Sequence, residues 1–219
     1  MASRLEPPAS FLDDLRRAYD ADAGYRNGLD DLQWRREVLE GWLATLPPAP
    51  RLLELGPGTG QAAALCQRLG ARVHAIDLSP QNVAYCRQRG IAAEIGDLRA
   101  LGQLSRLGRF DGIYAINALL HVPRAEHAVV VAAARQLLEP DGSLLLASWG
   151  GCRREGVWLE DRCDPPRFFS QYDDDAFLAL TFDGFEIVRR EILPDRAPDG
   201  LRPQLVVLRR VDGARVLGG

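Results

Sequence analysis

Between Arg51 and Ser148 the chain alternates short apolar runs with stretches in which apolar residues recur at helical spacing. Strands are predicted at Arg51–Leu55, Arg72–Ile76, Ile91–Ile95, Asp111–Ile116 and Ser143–Ser148, with helices at Gly60–Leu69, Pro80–Arg89 and Arg124–Leu138. This alternation predicts a parallel sheet with helices on both faces, because each crossover must carry the chain back to the start of the next strand.

The flanks read differently. Ser10 and Asp13 predict a helix to about Tyr19, and Leu32, Val38, Leu39, Trp42, Leu43 and Leu46 predict a second, ended by Pro47, Pro48 and Pro50. After residue 150, Gly150–Pro166 mixes charges with prolines at no clear period and reads as a loop or insertion. Asp173–Leu180 predicts a helix, and Phe185–Ile192 and Leu205–Arg210 two strands joined by the proline-rich link Leu193–Pro203. Paired antiparallel, those two would complete a seven-stranded mixed sheet.

The first strand runs into Gly56, Gly58 and Gly60, in the sequence LLELGPGTG. Glycines there let backbone approach a ligand where side chains would collide. A nicotinamide-type loop would want Gly or Ala where Gln61 stands, and a P-loop needs a lysine. All 27 basic residues are arginine, so P-loop and Schiff-base lysine chemistry are excluded.

What remains, E-x-G-x-G-x-G from Glu54, resembles motif I of the class I S-adenosylmethionine-dependent methyltransferases. In family order follow Asp77 in AIDLSP, Asp97 in EIGDL, then FDGIYAINALLHV, LLEPDGSLLLAS and the Gly184-Phe185 strand. The resemblance implies a Rossmann-like α/β fold with a seven-stranded mixed sheet, mostly parallel with the last strand antiparallel. Residues 1–50 are expected to form an N-terminal helical lid and 51–219 the methyltransferase domain, in one globular unit. It also implies a pocket for S-adenosyl-L-methionine, with S-adenosyl-L-homocysteine as product. Asp77, with Leu78 beside it, would take the ribose diol, and Asp97 and the Leu98 N–H the adenine. The backbone amides of Gly56 and Gly58 would lie against the methionine portion, and Glu54 and Gly60 are expected among the cofactor-binding residues. Asn117 would contact the methionine amino group, and Tyr25 would close over it from the lid. Tyr19 reads as helix packing.

His121, just beyond strand four, is the candidate base, since a neutral imidazole suits proton transfer from a hydroxyl or amine. His127 is expected on a helix surface, and His74 in a structural place. Trp149, Arg167, Phe169 and Tyr172, with Trp158 and Phe168, could line an acceptor pocket.

Composition narrows the partners. A net charge of −3 with scattered arginines makes no case for nucleic acid, and Asn117 opens no N-P-P-Y sequence. No run is long and apolar enough for a membrane span, and MASRLEPPAS has no signal-like core, so a cytoplasmic location is expected. Four unpaired-looking cysteines and three histidines lack metal-ligand spacing, and no metal is expected. The expected activity is methyl transfer to O or N of a small-molecule acceptor by a monomer or homodimer. The alternatives are a non-catalytic S-adenosylmethionine-binding scaffold or sensor and a nicotinamide-dependent oxidoreductase.

Overall fold

The computed structural model describes residues 11–29, 33–194, 197 and 200–212; Ser10 and Leu32, cited above for their helices, lie outside them. Two helices, α1 (Phe11–Asn27) and α2 (Gln33–Leu43), precede the sheet. Strands β1 (Arg51–Leu55), β2 (Arg72–Asp77), β3 (Ala92–Ile95), β4 (Phe110–Ile116) and β5 (Leu138–Gly150) alternate with α3 (Gln61–Arg68), α4 (Pro80–Gln88), a 3-10 segment (Leu98–Leu107) and α5 (Arg124–Leu137). There follow β6 (Arg154–Val157), β7 (Phe168–Gln171), α6 (Asp174–Leu178), β8 (Phe185–Ile192) and β9 (Arg202–Arg210).

Seven strands form one sheet in the order β3-β2-β1-β4-β5-β9-β8. Strands β1 to β5 run parallel, and β9 is antiparallel to both β5 and β8. The fold class is therefore the expected mixed α/β sheet. Chain order reverses between β1 and β4, which opens a crevice beyond their carboxyl ends. Period-two alternation sorts β1 between two cores: Leu52 joins the cluster of Trp34, Val38 and Trp42, while Leu53 and Leu55 join that of Leu101, Val130 and Ala134. Glu54 shares the face of Leu52 and is buried with it.

Three departures from the sequence reading matter. Helix α1 continues eight residues past Tyr19, because Asp20, Asp22 and Arg26 find partners along it. The region expected to be loop holds a hairpin: β6 pairs antiparallel with β7 in a separate two-stranded sheet. All four residues of β7, Phe168, Phe169, Ser170 and Gln171, are buried, so no alternation betrays it. Strand β9 begins at Arg202, three residues before the expected start, with Pro203 paired to Trp149 in register.

Candidate functional site

The turn after β1 uses its three glycines for different ends. All have positive φ, at 69°, 57° and 83° for Gly56, Gly58 and Gly60. A Cβ on Gly56 would lie 2.5 Å from the Ala118 Cβ, so the bare backbone lets the β1 and β4 loops touch. One on Gly60 would lie 2.8 Å from Ile91 Cδ1 and 2.9 Å from Cys86 Sγ. Gly60 serves the packing of α4 and does not line the cavity described below, contrary to its expected ligand contact. Gly58 has open space on its Cβ side and does line that cavity.

Two acids are buried beside this turn. Asp77 ends β2, where its Oδ2 accepts from Gly58 N–H at 3.0 Å and its Oδ1 from Ser79 N–H at 2.9 Å and Asn82 Nδ2 at 3.2 Å. Burial pushes its pKa up to about 6, against those three hydrogen bonds, which pull it down. Glu54 accepts from the Tyr114 hydroxyl at 2.9 Å. Burial raises it to about 8, with Tyr114 and the positive charge of Arg35 opposing the rise. Asp97 caps the 3-10 segment and holds the Arg99 guanidinium, Nη2 to Oδ2 at 2.8 Å and Nε to Oδ2 at 3.0 Å.

These groups open onto one cavity of about 450 Å³. Helix α1 and the residues just after it line this cavity and are bonded to the rest of the fold. Asp20 accepts from Ser79 Oγ at 2.6 Å, Asp22 holds Arg162 at 2.6 Å, Gln61 Nε2 donates to the Leu29 carbonyl at 2.5 Å, and Tyr19 meets His121. The pattern Phe11, Leu15, Tyr19 is one helix face, and all three line the cavity.

His121 is buried in the 3-10 turn Leu119–His121 that follows β4, with Nδ1 2.7 Å from the Phe168 carbonyl oxygen. A carbonyl only accepts, so Nδ1 carries the proton and Nε2 is the acceptor, 2.5 Å from the Tyr19 hydroxyl. Burial lowers its pKa to about 3, so the ring is neutral. Arg167 donates to the same Tyr19 oxygen at 3.2 Å while both arms of its fork hold Asp161, at 2.7 and 2.8 Å.

The cavity gathers most of the residues singled out from sequence: Tyr25, Glu54, Gly56, Gly58, Asp77, Leu78, Asp97, Leu98, Asn117, His121, Trp149, Arg167 and Phe169. Asn117, at φ 57°, spends its Oδ1 on the Trp149 N–H at 2.9 Å, which leaves its backbone toward the cavity role. Tyr172 does not line the cavity; its hydroxyl lies 3.1 Å from His127 Nδ1. His127 is accordingly no bare surface residue, for its Nε2 also lies 2.8 Å from the Val122 carbonyl oxygen. Tyr25 is 61% exposed under the Arg162 guanidinium, so Tyr19 is the more enclosed of the two α1 tyrosines. Sequence reasoning missed Tyr19, Arg35, Arg154 and Gln171 as cavity residues. Only Tyr19 left a signal, in its helical spacing from Phe11 and Leu15.

A family model described as "Methyltransferase domain" matches residues 53–146. The ubiquinone biosynthesis O-methyltransferase of Xanthomonas oryzae pv. oryzae is 33% identical over 103 residues, 45% of this chain and 42% of that protein. The chain thus spans less than half the length of the curated relatives it matches. Among solved structures, the 1,6-didemethyltoxoflavin-N1-methyltransferase of Burkholderia thailandensis, with S-adenosylhomocysteine bound, superposes with a TM-score of 0.68 at 19% identity, covering 97% of this chain and 94% of that one. The [4+2]-cyclase SpnF superposes at 0.62 with 19% identity, covering 83% and 82%. These structures show a shared fold alone. The glycine turn, the acids at the ends of β2 and β3, the strand order and the matched residues 53–146 agree: this part of the chain is similar to methyltransferase domains, and its sheet shares the fold of the solved methyltransferase above.

Proposed function

We propose that this protein transfers a methyl group from S-adenosylmethionine to an oxygen or nitrogen of a small-molecule acceptor. The observation that carries this is the Gly58 cradle: a bare backbone facing the cavity, hydrogen-bonded to the buried Asp77 carboxylate beside it. Asp77 accepts three hydrogen bonds and its two oxygens offer about four sites, so capacity is left for a ribose hydroxyl. Glu54 and Arg35 offer opposite charges for the ammonium and carboxylate of an amino-acid end, and a cation seated by Glu54 would draw off its proton. Residues 11–29 would act as a lid, with Tyr19 and Tyr25 over the cavity. Asp97, already held by Arg99, would present its remaining acceptor capacity to the adenine.

The cofactor supplies an activated methyl carbon, so the protein's work is alignment and exclusion of water. Tyr19, Phe169 and Trp149 line the cavity and would exclude water from a bound acceptor. An acceptor hydroxyl placed where the Tyr19 oxygen now sits would hydrogen-bond His121 Nε2, which orients its lone pair for attack and receives the proton as the new bond forms. We further propose a cytoplasmic protein, monomeric or homodimeric, with no nucleic-acid partner. No helix among the described residues is long and apolar enough to cross a membrane.

Calorimetry with S-adenosylmethionine, S-adenosylhomocysteine and NAD tests the cofactor assignment. Binding of the first two and not the third is expected; binding of NAD alone would overturn it. The fold also serves a cyclase, so turnover is read separately, as a mass gain of one methyl on the acceptor.

A further inference from the structure

Six arginines line the cavity, and five have a carboxylate within reach. Arg26 and Arg162 share Asp22, Arg99 holds Asp97, Arg167 holds Asp161, and Arg35 lies in the field of Glu54. Arg154, on β6, is different: among the described residues it pairs with no acid. Its guanidinium is nevertheless held in place. Nη1 donates to Gln171 Oε1 at 3.2 Å, and the group lies over the Trp158 ring, 4.3 Å from its centroid. Gln171 is itself buried and fixed by donating to the Trp149 carbonyl at 3.3 Å.

A planar cation fixed on one face and at one edge, with further N–H donors available, matches a carboxylate by its fork geometry. Its surroundings favour a flat molecule. Trp158 touches Phe169 with ring centroids 5.8 Å apart, and Phe169 touches His121 at 4.8 Å, so an aromatic wall runs from Arg154 to the proton-accepting nitrogen. The geometry points to an acceptor that is an aromatic carboxylic acid, its carboxylate on Arg154 and its nucleophilic atom toward His121. This deepens the methyl-transfer proposal and rests on it.

The test uses protein saturated with S-adenosylhomocysteine and matched pairs of 4-hydroxybenzoate, 4-hydroxycinnamate and indole-3-acetate with their primary amides. Binding is read by ligand-detected NMR titration for the parent, R154Q and R154K. At least one acid is expected to bind the parent about tenfold or more tightly than its amide, as a charge-assisted hydrogen bond supplies. R154Q should abolish that preference and R154K keep part of it, both with unchanged homocysteine-product affinity as the control for folding. Equal binding of acids and amides, an acid preference that survives in R154Q, or no acid binding at all would overturn the inference. If S-adenosylhomocysteine itself fails to bind the parent, it is the methyl-transfer proposal that falls.

Discussion

Gly56 and Gly58 stand two residues apart with the same sign of φ, yet a methyl group would do different things at each. At Gly56 it meets Ala118 at 2.5 Å, so Gly56→Ala must push apart the β1 and β4 loops as well as strain the backbone. A loss of about 3 kcal/mol is expected, from the left-handed conformation plus overpacking. At Gly58 the backbone penalty of about 1–2 kcal/mol stands alone, and the methyl enters the cradle. Gly58→Ala should therefore keep most of the stability in a urea titration while losing at least tenfold in S-adenosylhomocysteine affinity. Equal losses of stability in the two variants would refute that division of labour. The motif was legible because glycine spacing is written in the chain. Its allocation was not, because the neighbours that make Gly60 a packing residue, Ile91 and Cys86, arrive from elsewhere in sequence.

At the scale of elements, α1 is the part whose importance was least visible. Its face of Phe11, Leu15 and Tyr19 reads equally as core or as ligand wall, since both call for apolar bulk at helical spacing. What decides is the partner set: Tyr19 on His121 and Arg167, and Asp22 between Arg26 and Arg162. Tyr19→Phe removes one hydroxyl that donates to His121 and accepts from Arg167. A destabilisation near 1 kcal/mol is expected from the lost bonds. Asp22→Asn leaves two arginines short of their carboxylate and should loosen the helix, raising amide exchange in α1 with the sheet amides unaffected. His121→Ala should lower kcat/KM by about tenfold or more while cofactor affinity holds. A neutral Nε2 with a conjugate acid near pH 3 also predicts no inflection from His121 between pH 5 and 8. The β6–β7 hairpin shows the opposite limit. Four buried residues in a row carry no period, and Gly156 sits in the partner strand, so nothing local announced a sheet there.

For the whole molecule, buried ionisable groups set how stability varies with pH. Glu54 holds its proton in the folded state up to about pH 8 against a usual 4.5, and Asp77 up to about 6 against 3.8. Folded protein then binds more protons than unfolded, and their contribution, full below the lower value, is lost as pH rises. His121, lowered to about 3 from 6.5, works the other way: its contribution is full above pH 6.5 and lost toward pH 3. The two opposing trends overlap below pH 6.5. From pH 6.5 to 8 the Glu54 contribution dominates the change among these three, so the ligand-free protein should lose about 1–2 kcal/mol across that window. Denaturant titrations at both pH values check it, and Glu54→Gln should flatten the slope. The other charges facing Glu54 come from α2 through Arg35 and from β2 through Asp77, so the Gln variant isolates the carboxyl itself.

The alternation of apolar runs with helical periods, and the glycine turn that interrupts it, were sufficient for the sheet, its mainly parallel sense and the crevice beyond the carboxyl ends of β1 and β4. Those properties follow from local propensity and from the handed, short connections that join successive elements. Sequence could not say which cavity arginine pairs with no acid among the described residues, which tyrosine reaches His121, or that Gly60 is buried against Ile91 and Cys86. Each depends on residues separated by tens of positions meeting in space, as Tyr19 meets His121 and Arg167, and pairwise distance is a property that only the packed chain possesses.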